Sequence, residues 1–288
     1  MTIIHPTAIV HPQAQLDASV EVGPYTIIEQ DVIIGPRTVI GPHCLIAVGT
    51  QIGAENQIHF GAVIGHRPQD SAYHDAPTGT QIGDRNTIRE YVTIHRGTTP
   101  DTSTVIGSDN FLMANAHIAH NCRVGDRTIF ANLATLGGHC VVEDQAFVSG
   151  MTVCHQFTRI GRLAMLGGLS AINKDVPPFM VCAGRPGVVR GVNLVGLRRA
   201  GRTLAARQAI VRAFKLLYRS GLNVSQALEQ MRAADPTPDV RELIVFIKAA
   251  KRGICAGAGP ETPPAAKRST SPLTAADEDD TLDSDMHL

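Results

Sequence analysis

Stepping by six from Ile4 to Ile172 meets Ile, Val, Leu, Phe or Cys at 26 of 29 positions. The run opens Ile4, Val10, Leu16, Val22, Ile28 and closes Cys154, Ile160, Leu166, Ile172. Its three exceptions are Asp70, Ala76 and Pro100, and the rhythm resumes in phase after each of them. A period of six matches neither a helix, at 3.6, nor a lone amphipathic strand, at 2. It is the mark of a hexapeptide prism, in which three short strands make one coil and coils stack. The pattern therefore predicts an all-β, left-handed parallel β-helix over residues 1–176. Residues 18 apart should stand one above the other at about 4.8 Å, the spacing of parallel strands.

A second column follows four residues behind the first, with Ala8, Ala14, Val20, Thr26, Val32, Thr38, Cys44 and, later, Ala116, Cys122, Thr128, Ala134, Cys140. Only small side chains fit where a coil turns inward, so this column reads as a second core position. Glycine recurs directly after the aliphatic residue, at 23, 35, 41, 53, 65, 83 and onward. There the corner dihedrals are expected to favour a residue without Cβ. Two stretches leave the pattern: 65–81, polar and carrying Pro68, Pro77 and Gly79, reads as a protruding loop, and 95–105 as a shorter excursion. Pro177 and Pro178 end the repeat. Residues 177–254 are predicted as a small helical C-terminal domain, with Thr203 capping a helix whose Ile210, Phe214 and Leu217 share a face, and two further helices near 224–234 and 238–252. Residues 255–288 are rich in Gly, Pro, Ala, Ser, Thr and Asp and are expected to be a disordered tail.

Composition narrows the picture further. Aromatic residues make up 4% of the chain and Trp is absent, which suits a narrow interior of Ile and Val. The six cysteines fall mostly in the core columns and read as buried thiols rather than disulfides. The amino terminus lacks a signal-peptide pattern and no apolar run reaches the length of a membrane span, so a cytoplasmic location is expected. Formal net charge is zero, yet residues 196–252 hold twelve Lys and Arg against four acids, a net +8 that offers a docking surface to an acidic partner. No phosphate-cradling Gly loop precedes a helix, and no basic–aromatic interleaving suggests nucleic acid.

The register also places chemistry. His120, Gly138 and Gln156 differ by 18 and should stack on successive coils, with His139 beside Gly138 and His155 beside Gln156. His117 precedes His120 by three. None occupies a core column, so all should project outward within about 10–15 Å, given coils that rise about 4.8 Å. Two chemistries could use such a cluster: one His as general base on a hydroxyl or amine, or three His on a catalytic zinc, as in the gamma-class carbonic anhydrases, themselves hexapeptide β-helices.

The stretches IGDRNTIREYVTIHRGT (82–98), NAHIAHNCRVGD (115–126), LGGHCVVED (136–144), GMTVCHQF (150–157), KDVPPF (174–179) and GVNLVGLRRAG (191–201) resemble the UDP-N-acetylglucosamine O-acyltransferases of lipid A synthesis, in order, over about residues 1–250. That resemblance implies transfer of an (R)-3-hydroxyacyl chain from acyl carrier protein to the sugar 3-hydroxyl, the first step of lipid A synthesis, without cofactor or metal. It implies His120 as general base, Gly138 N–H as oxyanion donor and Asp70 as an orienting acid. Gln69, His117, His139 and Gln156 would line the cleft, His155 would form its wall, and Asn193 and Arg199 would contact the nucleotide sugar. Gly168 matches a position the family uses to limit the acyl pocket, and glycine there should leave room for a longer chain. The family also implies a homotrimer with sites between subunits, and acyl carrier protein held by the basic helices.

Three positions depart from the family pattern: Ala72 for a Lys, Val195 for a Glu, and Ala200 for the second of two Arg. They leave open a 3-amino nucleotide sugar, which the same base would N-acylate. The zinc hydratase and a non-catalytic sugar-nucleotide scaffold are the readings from other classes.

Overall fold

The computed structural model describes residues 3–258. Three parallel sheets line the three faces of a prism. The first face runs from Ile3–Ile4 to Met165–Leu166, the second from Ile9–Val10 to Ala171–Ile172, and the third from Gln15–Leu16 to Arg159–Ile160. Most strands are two residues long, one side chain turned out and the aliphatic one turned in. Glu21 pairs over Ile3, and Ile33 over Gln15, the expected offset of 18. At the two excursions the offset grows: Gln57 pairs with Thr87, 30 residues on, and Thr87 with Phe111, 24 on. The excursions thus add twelve and six residues, multiples of the repeat, which is why the sequence register survives both.

The corners correct one expectation. From Tyr25 onward the left-handed conformation falls three residues after the aliphatic one, mostly on non-glycine residues such as Tyr25, Asp31, Arg37, His43, Asn121, His139 and Phe157. Gly23, Gly35, Gly41 and Gly53 have ordinary φ values; a Cβ on Gly23 would stand 2.7 Å from the Gly41 carbonyl carbon of the next coil. Close approach of stacked corners, not their dihedrals, demands glycine there.

Inside, Ile28, Ile34, Ile40, Ile46, Ile64 and their successors form one continuous apolar core. The polar members of the small column close hydrogen bonds that the corners leave open: Thr26 Oγ1 donates to Gly41 O at 2.7 Å, and Asn86 Nδ2 to Asn56 Oδ1 at 2.9 Å. All six cysteines are buried free thiols.

Past Ile172 the chain does not turn helical at once. Met180–Ala183 extends the first face, pairing Val181 with Met165, and returns as the antiparallel strand Val188–Val192. The sequence hid this hairpin because Gly184, Arg185, Pro186 and Gly187 break its alternation. Four helices follow: α1 (Leu194–Arg199), α2 (Leu204–Tyr218), α3 (Val224–Ala233) and α4 (Pro238–Lys248). Thr203 caps α2 as expected, its side chain accepting from Ala206 N. The bundle is fastened to the prism. Arg162 binds Glu242 and Asp239, and Arg159 lies 3.9 Å over the Phe246 ring. Residues 255–258, assigned by sequence to the tail, belong to the fold: Cys255 N donates to Asp175 O and Ala258 N to Val189 O, both at 2.8 Å. The rest of the expected tail, 259–288, lies outside the described residues.

Candidate active site

The corner between the second and third faces gathers the predicted chemistry. His120 and His139 meet edge to face, ring centroids 5.2 Å apart. His139 N donates to His120 O at 3.0 Å and Phe157 N to Gly138 O at 3.0 Å, so the predicted column is stacked as the register required. His120 does not project into solvent; it is only 9% exposed. The first excursion folds back over it and brings Asp70 Oδ2 to 3.8 Å from His120 Nε2. On the other side of the ring, His120 Nδ1 lies 3.0 Å from Asn121 Oδ1.

Gly138 is fitted to the His120 ring. A Cβ there would stand 2.4 and 2.5 Å from Cε1 and Nε2 of His120. Its backbone N–H meets no acceptor among the described residues. This slot, two residues after the aliphatic one, lies outside the strand ladder in most coils, and Pro6, Pro12, Pro24, Pro36 and Pro42 occupy it earlier. Only at Gly138 does the spare donor border an imidazole with the side-chain space cleared.

The neighbouring imidazoles are pushed toward the neutral form. Burial, then the nearby His117, His66 and His120, pushes the His95 pKa down to about 4. Burial, followed by His120, likewise lowers His117 and His139, with Asp70 opposing at His139. His117 Nδ1 is 2.7 Å from Thr93 Oγ1 and its ring is 4.8 Å from that of His95. His95 Nδ1 is buried without a partner among the described residues.

The remaining candidates divide. Gln69 and Gln156 sit exposed at the rim. His155 turns away from the imidazole pair, its Nδ1 3.0 Å from Gln156 O, and the ring that packs on His139 is Phe157, stacked at 4.6 Å. Phe157 was missed, although it stands 18 residues above His139 and the register alone could have found it. Asn193 and Arg199 lie at another corner, around a cavity of about 520 Å³ that Arg127, Phe147, Val195 and Ala200 also line. Asn193 spends its amide within the chain, accepting from Gly196 N and donating to Leu163 O, each at 2.9 Å. One chain therefore does not unite Asn193 and Arg199, expected to contact the nucleotide sugar, with the imidazoles. Gly168 is exposed, and a Cβ there would meet only Gly150 O at an ordinary 3.4 Å, so no local contact compels glycine. Among the described residues no three His, Cys, Asp or Glu converge as metal ligands, and no helix is long and apolar enough to cross a membrane.

A stacked-coil prism with histidines on one corner fits the hexapeptide-repeat transferases, and the bacterial transferase hexapeptide family matches residues 103–138. A second family, UDP-N-acetylglucosamine O-acyltransferase domain 2, matches residues 175–255. The chain is 51% identical over 260 residues to the acyl-[acyl-carrier-protein]–UDP-N-acetylglucosamine O-acyltransferase of Herminiimonas arsenicoxydans, covering 88% of this chain and 99% of that one. To its counterpart in Thiobacillus denitrificans it is 48% identical over 256 residues, with the same coverage. The UDP-N-acetylglucosamine acyltransferase structure from Francisella novicida superposes with a TM-score of 0.86 at 33% identity, over 88% of this chain and 94% of that one. That from Bacteroides fragilis gives 0.86 at 37%, over 88% and 99%. The chain belongs to the acyl-[acyl-carrier-protein]–UDP-N-acetylglucosamine O-acyltransferase family, and is an acyltransferase of the left-handed β-helix type.

Proposed function

We propose that this chain transfers a 3-hydroxyacyl group from acyl carrier protein to the 3-hydroxyl of UDP-N-acetylglucosamine in the cytoplasm, with His120 as general base. The observation that carries this reading is the triangle of His120 Nε2, Asp70 Oδ2 and the spare N–H of Gly138. Nε2 takes the hydroxyl proton as the sugar oxygen attacks the thioester carbon. Gly138 N–H donates to the oxyanion that forms, and the Asp70 carboxylate favours the imidazolium. Collapse breaks the C–S bond, and the departing thiolate takes the proton back from the ring. No step calls on a cofactor.

The cavity bearing Arg127 and Arg199 suits a diphosphate, guanidinium being a bidentate partner for phosphate. Because it lies at a different corner from His120, a complete site needs a second copy, which supports the homotrimer. Arg127 offers a cation to the cavity where Ala200 does not. On α4, Asp239 and Glu242 are engaged by Arg162, so the exposed Arg198 faces an acidic carrier without that competition. The relatives' names specify O-acylation, which favours a hydroxyl over a 3-amino acceptor. A transfer assay with acyl carrier protein thioesters, offering both sugar nucleotides to wild type and His120→Ala, tests the reading. Loss of transfer in the variant and preference for the hydroxyl sugar are expected; a fully active variant sinks the base assignment.

A further inference from the structure

We propose that the second excursion, residues 96–102, is a strap that sets which nitrogen of His120 carries the proton and at the same time holds Asp70 in place. This deepens the base assignment above and rests on it. The sequence treated this stretch as a structural detour, but its hydrogen bonds lead to both partners of the catalytic pair.

The first half of the inference follows donors and acceptors. Thr98 N, which can only donate, lies 3.1 Å from one terminal atom of the Asn121 side chain, so that atom is the amide oxygen. Thr98 Oγ1 reinforces it at 2.8 Å. At the other end, Thr102 Oγ1 donates to Thr99 O at 2.7 Å and therefore accepts from Asn121 Nδ2 at 3.0 Å. The amide is fixed from both sides. Its oxygen also faces His120 Nδ1 at 3.0 Å, and an amide oxygen only accepts. Nδ1 must then carry the hydrogen, which leaves the lone pair of the neutral ring on Nε2. Nε2 is the nitrogen that faces Asp70 and borders Gly138. A flipped amide would present N–H to Nδ1, move the ring proton to Nε2, and leave no base.

The second half concerns the acid. Arg96, buried at the start of the strap, donates from Nε to Tyr73 Oη at 3.1 Å. Tyr73 N in turn donates to Asp70 O at 3.0 Å, closing the turn in which Ala72 N donates to Asp70 Oδ1. The strap is tied at both ends to the first excursion, at its start through Gly97 N to Gly79 O at 3.2 Å and at its end through Gly79 N to Thr102 O at 3.0 Å and Asp101 N to Pro77 O at 3.1 Å. Gly97 allows the tight return, since a Cβ there would meet Thr102 O and Oγ1 at 2.5 Å. One element therefore positions base and acid together. Asn121, Thr98, Thr102, Arg96 and Tyr73 are positioning residues that need not touch substrate.

The test uses the full-length protein labelled with ¹⁵N-histidine, with His120→Gln identifying the His120 signals. Wild type at neutral pH should show a pyrrole-type Nδ1 and a pyridine-type Nε2 at His120. In Asn121→Ala, and in Thr98→Val/Thr102→Val, the ring should shift toward the Nε2–H form. In both variants kcat should fall about 10- to 100-fold, part of the roughly 100- to 10,000-fold that a general base contributes, with little change in KM. Adding Asn121→Asp to the double-Val variant should restore the Nδ1–H form and most of kcat, because a carboxylate accepts from either oxygen and has no wrong orientation. A merely structural strap would not be rescued in this way. A wild-type ring protonated on Nε2, unchanged His120 signals in the double-Val variant, or no rescue by Asn121→Asp overturns the proposal. Activity in His120→Gln would defeat the base assignment instead, whatever the tautomer.

Discussion

Replacing Gly138 with Ala tests the reacting corner with the smallest possible change. The added methyl carbon would lie 2.4–2.5 Å from Cε1 and Nε2 of His120, where an ordinary carbon–nitrogen contact needs about 3.4 Å. Backbone cannot yield, because Gly138 O is held by Phe157 N at 3.0 Å and His139 N by His120 O at 3.0 Å. The imidazole must therefore swing by about 1 Å, away from its 3.0 Å contact with Asn121 Oδ1. A displacement of about 1 Å at a reacting group costs about 100-fold in rate, equivalent to about 2.7 kcal/mol of barrier. The expected outcome is a kcat reduced about 100-fold, a KM for the nucleotide sugar changed less than threefold, and a melting temperature within a few degrees of wild type. Steady-state transfer assays with a carrier-bound thioester, alongside calorimetry, read all three. The double variant Gly138→Ala/His120→Ala should be scarcely slower than His120→Ala alone, because both changes disable one group. A Gly138→Ala enzyme within threefold of wild-type kcat would refute the argument that ring and glycine are mutually fitted.

Stability should depend on pH through His95. Its folded pKa of about 4 lies below the unfolded 6.5, so its contribution is fully present above pH 6.5 and is lost as pH falls toward 4, up to about 3 kcal/mol; urea titrations from pH 7 to 4 should show this, and His95→Gln should remove it. Arg162→Ala should lower stability by about 2–4 kcal/mol, since it leaves partly buried Glu242 without its partner and Asp239 with Arg202 alone, and denaturant midpoints compared with Arg162→Ala/Glu242→Gln should show partial recovery. Gly168→Leu should leave folding unchanged, as the space is open beyond Gly150 O, while shifting preference among carrier-bound thioesters toward shorter chains; an unaltered preference would remove Gly168 from the acyl pocket.

The sequence yielded the stack because a six-residue period has one structural solution, and the same period carried His120 and Gly138 to their places; Asp70, in an excursion that breaks the period, was reached only through the family resemblance. What it concealed follows from physics that leaves no periodic trace. The Asn121 amide is oriented by Thr98 and Thr102, two residues of an excursion whose own fold is not repetitive. The Arg96–Tyr73 bond joins two irregular segments, so no ruler relates them. His155 was legible as a neighbour in sequence, but its ring turns to Gln156 O, a rotamer choice that spacing does not encode. The hairpin at Met180–Val192 was lost because glycine and proline interrupt it. The glycine column was seen correctly and explained wrongly: a repeated glycine can answer to the next coil rather than to its own φ.

Stacking also governs how the molecule comes apart. Each coil touches only the coil before and after it, so cohesion is a chain of nearest-neighbour terms rather than a single all-or-none core. At the amino-terminal end that chain has a loose link: Ile4, on the core column, is 43% exposed, while Ile28 on the same column, little more than a coil further on, is 1% exposed. The reacting corner lies deep in the stack, between Asp70 and Phe157, and the far end is closed by the hairpin and helices. Fraying can consume the first coils without reaching the chemistry, and amide exchange should slow coil by coil toward His120. Length, which a transferase of one small site does not need for catalysis, becomes insulation.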